Sequence, residues 1–112
     1  MRMATKQSTI EYLLEQLANI QGVTARKMFG EYALQCDGKT VALICDDQLY
    51  VKPTDIGRSL VGEGHGAPPY PGAKVWLHIT EDYWEDREWL TALLIQTIAA
   101  VPIPKPKKKK HG

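Results

Sequence analysis

At 112 residues, 44% hydrophobic and 24% charged, the chain has material for one hydrophobic core and the composition of a globular domain, which excludes collagen-like, coiled-coil and disordered chains. No apolar run approaches the roughly 20 residues that cross a bilayer, and Glu11 and Glu15 interrupt the first apolar segment, so neither a membrane span nor an export signal is expected. The formal charge of +1 conceals an asymmetry, because Lys105, Lys107, Lys108, Lys109 and Lys110 are five of fourteen basic residues, and without them nine basic residues face thirteen acidic ones.

The first predicted element is an amphipathic helix. Ser8 and Glu11 have the spacing of a capping box, Ile10, Leu13, Leu14, Leu17 and Ala18 recur at helical intervals, and Gly22 offers a stop. From Val23 to Lys52 the pattern becomes short runs broken by turn residues. Strands are predicted at Val23 to Met28, Glu31 to Cys36, Lys39 to Cys45 and Gln48 to Lys52, with a break at Gly30 and a two-residue turn at Asp37-Gly38. Such a turn places Leu34 opposite Val41 and Tyr32 opposite Leu43, so Tyr32, Leu34, Cys36, Val41, Leu43 and Cys45 share one face. Keeping Leu49 and Val51 on that face then requires a three-residue loop, Asp46-Asp47-Gln48.

Pro53 ends the meander and Thr54 can cap a short helix to about Val61. Gly62 to Lys74, rich in Gly and Pro, is predicted to be irregular. Val75, Leu77 and Ile79 alternate with Trp76, His78 and Thr80 as in a half-buried strand. A long last helix is predicted from Asp82, its first turn crowded by Glu81, Asp82, Glu85 and Asp86, with Leu90, Leu93, Leu94, Ile98 and Val101 as the buried stripe. Pro102, Pro104 and Pro106 end it, which puts the domain at residues 1–103 and a disordered Pro/Lys-rich tail at 104–112. The order α-β-β-β-β-α-β-α predicts a single two-layer α+β domain, an antiparallel sheet of a meander plus one further strand, covered by helices.

Cys36 and Cys45 are the only cysteines. About six residues of strand, each rising about 3.3 Å, separate Cys45 from the position opposite Cys36, beyond the roughly 7 Å limit of a disulfide. A reducing cytoplasm fits them best, as small hydrophobes on the inner face. A thiol-dependent enzyme using Cys36 or Cys45, or a ligand site in the Gly62 to Lys74 loop, is the alternative. Gly62-Glu63-Gly64-His65-Gly66 is followed by Ala67-Pro68-Pro69, whose prolines lack the N–H groups a phosphate loop needs. No metal-ligand spacing occurs, the acidic cluster at residues 81 to 88 is explained by a helix N-terminus, and no cofactor is expected.

Two segments could contact a partner. Lys105, Lys107, Lys108, Lys109 and Lys110 can meet nucleic-acid phosphates, a weak and salt-sensitive contact without sequence preference. Arg26-Lys27-Met28-Phe29-Gly30-Glu31-Tyr32 sets two cations and two aromatics around a glycine between strands, the residue types in which interfaces concentrate their energy. Arg26, Lys27, Phe29 and Tyr32 are the candidate interaction residues. Close strand packing at a bend is the competing account of the same motif.

That stretch, with Asp37-Gly38-Lys39, Val41-Ala42-Leu43-Ile44, Asp46-Asp47-Gln48-Leu49-Tyr50-Val51-Lys52 and Pro69-Tyr70-Pro71-Gly72-Ala73-Lys74 in order, resembles the N-terminal domain of the TfoX/Sxy family from about Val23 to about Val101. The resemblance implies a secretion-chaperone-like α+β fold that often pairs. The best-known members are two-domain bacterial regulators of natural competence, acting with the cyclic AMP receptor protein. A standalone form of the first domain is expected here. By this resemblance the chain is a non-enzymatic cytoplasmic regulatory or protein-interaction module, with a transcription regulator as the expected partner, a homodimer compatible with the fold, and no catalytic residues to transfer.

Overall fold

A computed structural model describes residues 5–28 and 30–103. Helix α1 (Gln7–Gln16) leads into the meander β1 (Thr24–Met28), β2 (Glu31–Cys36), β3 (Lys39–Cys45) and β4 (Gln48–Val51). Then come α2 (Asp55–Val61), the two-residue β5 (Gly66–Ala67), β6 (Trp76–Ile79), and the helices α3 (Glu81–Trp84) and α4 (Arg87–Ala100). The strands form one antiparallel sheet in the order β1-β2-β3-β4-β6-β5. The expected α+β architecture is thus present, with an additional short strand, β5, inside the segment predicted to be irregular and a break in the last helix.

The helices gather on one face. Ile10, Leu13 and Leu17 from the α1 region and Leu90, Leu93 and Leu94 from α4 pack on Leu34, Ile44, Leu49 and Ile79 of the sheet. Thr97 completes the α4 stripe, fully buried because its hydroxyl donates to the Leu93 carbonyl at 2.7 Å, one turn back. Gly57 lets α2 sit close to its neighbours: a Cβ there would lie 3.1 Å from Leu77 Cδ1 and 2.9 Å from Thr54 Oγ1, the oxygen that caps α2 by accepting from Gly57 N.

The register corrects the predicted faces. Both turns are two residues long with positive φ throughout, 53° and 76° at Asp37-Gly38 and 54° and 60° at Asp46-Asp47, as a tight twisted hairpin demands. Between β2 and β3, however, Gln35 faces Thr40 while Leu34 faces Ala42, which leaves Val41 as an extra residue. In such a bulge two successive residues oppose one on the partner strand, and Val41 and Ala42 both enter the helix-covered core. Every later residue of β3 is thereby shifted by one. Ala42 and Ile44 face the helices, and Leu43 and Cys45 join Ala33 on the other side. Leu49 then lies opposite Ile44 and Val51 opposite Ala42, so the two-residue turn keeps both in the core and the expected three-residue loop is not needed.

The N-terminal cap is also not the predicted one. Ser8 makes no cap; Lys6 holds that position, and Glu11 accepts from the Gln7 side chain instead. The carboxylate comes from a distant turn, where Asp47 Oδ1 accepts from Lys6 N and Thr9 Oγ1, both at 2.9 Å. Asp47→Ala therefore removes a cap and leaves alanine at a positive φ. An expected loss of about 1–2 kcal/mol, read by urea unfolding, contrasts with near-neutral Asp47→Asn, which keeps an acceptor oxygen and tolerates that backbone.

The last helix breaks because two side chains terminate and restart it. Trp84 is buried with its indole N–H donating to the Ile79 carbonyl at 2.8 Å, and Asp86 accepts from Trp89 N to cap α4. Leu90, Leu93, Leu94 and Val101 are buried as expected, and Ile98 packs at the edge of the core.

Candidate interaction surface

Among the described residues, the β1 strand is one end of the sheet and pairs only with β2. Ala25 lies opposite Leu34 and packs on the main core, which fixes the faces of its neighbours. Lys27, opposite Tyr32, shares the helix-covered side, whereas Arg26, opposite Ala33, lies on the other. The two predicted cations are therefore adjacent in sequence but project from opposite faces of one strand. Four of the five β1 residues are exposed, Arg26 and Lys27 among them, and neither cation has an ion-pair partner among the described residues. Tyr32 is half-buried and packs against the main core, so it serves the fold at least as much as a surface. Phe29 lies outside the described residues, as do Lys105, Lys107, Lys108, Lys109 and Lys110.

The sheet face away from the helices holds a second, smaller apolar cluster, in which Ala33, Leu43 and Cys45 are flanked by Tyr50 and Trp76. His78 stacks on Tyr50 with ring centroids 5.0 Å apart, and its Nε2 lies 2.8 Å from Gln48 Oε1. Strand alternation alone could have found Tyr50, Trp76 and His78 as one set, but only the bulge assigns Leu43 and Cys45 to it.

The two cysteines thus sit on opposite faces, both buried and neither in a disulfide. Cys36 Sγ lies 3.6 Å from the Gln21 carbonyl, and burial, reinforced by Asp37 and partly offset by Lys39, pushes its thiol pKa up. A thiol that holds its proton more tightly when folded contributes fully to stability below the ordinary thiol range, and that contribution is lost as pH rises through it. Native protein is accordingly expected to react slowly with an aromatic disulfide reagent at neutral pH and faster in alkali. Rapid labelling of Cys36 at neutral pH would contradict this and support a thiolate site.

The Gly62 to Lys74 segment is held by β5, whose Gly66 and Ala67 lie opposite Leu77 and Trp76, and by the His65 carbonyl, which accepts from His78 N at 2.7 Å. A groove of about 660 Å³ runs between α1 and α3 and is lined by Ser8, Thr9, Tyr12, Glu81, Trp84 and Glu85. Sequence reasoning placed Glu81 and Glu85 only as helix-terminal charge. No cluster of three or more His, Cys, Asp or Glu with metal-binding geometry occurs among the described residues, and no helix among them is long and apolar enough to cross a membrane.

A six-stranded antiparallel sheet covered on one face by helices, with a basic edge strand, defines a small α+β domain. Residues 15–101 match the TfoX N-terminal domain, and the chain belongs to that family. It is also similar, at 40% identity over 108 residues, to an uncharacterized 12.7 kDa protein in the trpE 5′ region of Spirochaeta aurantia, a match covering 96% of this chain and 93% of that protein.

Proposed function

We propose that this domain is a non-enzymatic regulatory module of the cytoplasm that docks on a transcription regulator controlling genes for DNA uptake, with β1 and the bend that follows it as the docking surface. The observation that carries this is the exposed edge strand, where Arg26 and Lys27 stand without ion-pair partners among the described residues. Membership in the TfoX N-terminal domain family supports the regulatory part. Exposed charges seldom affect folding by more than about 0.5 kcal/mol, so cations kept there can serve recognition at little cost to the fold.

The test is a reporter of DNA-uptake gene expression in a host that lacks the endogenous gene. Wild-type protein restores expression, and Arg26→Glu with Lys27→Glu fails to, although its melting temperature is unchanged. Full restoration by the double variant, or no effect of the wild-type protein on expression, would overturn the proposal.

A further inference from the structure

We infer that β1 accepts an extended acidic segment of its partner, which joins the sheet as a seventh strand and carries two adjacent carboxylates. This rests on the interaction role proposed above and adds the chemistry and geometry of the partner.

The two ends of the sheet are unlike. At one end β5 has only Gly66 and Ala67, followed by Pro68 and Pro69. Prolines have no N–H to donate, so that edge is closed to a further strand. At the other end β1 has five residues, paired on one side only among the described residues, with four side chains exposed. An unpaired edge of this length offers a row of backbone donors and acceptors, and main-chain hydrogen bonds supply most of the affinity when a peptide adds to it.

Charge decides between the two possible occupants, a second copy and a different chain. Two copies of β1 paired antiparallel about the strand centre would set Arg26 against Arg26, and the next register in one direction would set Lys27 against Lys27. Like charges directly opposite each other are destabilising in a sheet, so self-pairing in these registers is disfavoured. Within the sheet the residues opposite the two cations are Ala33 and Tyr32, which carry no carboxylate. Glu31 is the acid of β2, but it lies opposite Met28 and its Oε1 accepts from Thr5 and from Asp46 N. Because Arg26 and Lys27 project from opposite faces, a partner strand matches both only if consecutive residues are acidic, one carboxylate to each face. A Lys or Arg that merely repels stray strands makes a different forecast, namely that no peptide binds.

The experiment is a display selection of short random peptides on the wild-type domain and on the Arg26→Glu, Lys27→Glu double variant. Selected peptides are then followed by hydrogen exchange of the β1 amides. On wild type, peptides with adjacent Asp or Glu residues among β-branched neighbours are expected to enrich and to protect Thr24–Met28. On the double variant the preference reverses to adjacent Lys or Arg, and the original peptides bind about tenfold or more weakly. N-methylation of alternate peptide amides abolishes binding, as a hydrogen-bonded ladder requires. No enrichment, enrichment without an acidic pair, or indifference to N-methylation overturns the inference. If the double variant folds poorly, Arg26→Gln with Lys27→Gln serves in its place and should lose the acidic preference. A wild-type domain that selects acidic peptides but leaves DNA-uptake genes unaffected retains the edge and loses the regulatory role. A double variant that still activates those genes retains the role and loses the edge.

Discussion

Replacing Leu34 by Ala is expected to lower the unfolding free energy by about 2–5 kcal/mol, the range for emptying a fully buried leucine site. Leu34 has no exposed surface, lies opposite Ala42 just before the bulge, and packs in the helix-covered core. A domain of this size has a total stability on the order of 5–15 kcal/mol, so the variant gives up a large share of it. Leu43→Ala is the informative control. If Leu34 and Leu43 shared a face, the two substitutions would cost alike. In the observed register Leu43 lies in the small cluster on the far side, retains 8% of its surface in solvent, and should cost less. Chemical denaturation of both variants reads the difference, and equal losses would contradict the bulge at Val41.

The second large effect is expected at Glu31. Its Oε1 accepts from Thr5 Oγ1 at 2.6 Å, Thr5 N at 3.2 Å and Asp46 N at 3.0 Å, and Thr5 Oγ1 in turn accepts from Asp47 N at 3.2 Å. Thr5 and Glu31 are both buried. One carboxylate oxygen thus ties the segment before α1 to the start of β2 and to the β3–β4 turn. Glu31→Ala leaves the buried Thr5 N–H without its acceptor, at a cost of about 1–3 kcal/mol, leaves the Thr5 hydroxyl with only the Ile44 carbonyl at 3.2 Å, and loosens the turn whose Asp47 caps α1. Glu31→Gln retains one acceptor oxygen and should lose less. Melting temperatures of the two variants test this, since each kcal/mol moves the midpoint of a small domain by about 4–8 °C. Equal melting of Glu31→Ala and wild type would show that the network contributes nothing.

How far the fold was legible follows from where its signals lie. Asp37-Gly38, Thr54 and Pro53 act on their immediate neighbours, and each appears where the sequence predicts it. The alternation that buries Leu77 and Ile79 is likewise local. The bulge is not, because Thr40 to Cys45 runs Thr-Val-Ala-Leu-Ile-Cys, apolar on both faces, so the hydrophobic pattern does not reveal the slip at Val41. Asp47 caps a helix that begins 40 residues earlier, a contact no local pattern can show. The short β5 depends on pairing with β6 across the intervening loop. At the candidate surface, the sequence correctly exposes Arg26 and Lys27, but Tyr32 turns toward the core, as expected of a residue whose strand neighbour Leu34 shares its face.

Site-specific photo-crosslinking tests most directly whether β1 is the docking surface. A photoreactive residue at Thr24, exposed on β1, is compared in living cells with one at Ile56, exposed on α2. Crosslinks from Thr24 to a transcription regulator, lost when Arg26→Glu and Lys27→Glu are added, are the predicted result. Crosslinks from Ile56 alone, or from Thr24 unchanged by the charge reversal, would contradict it.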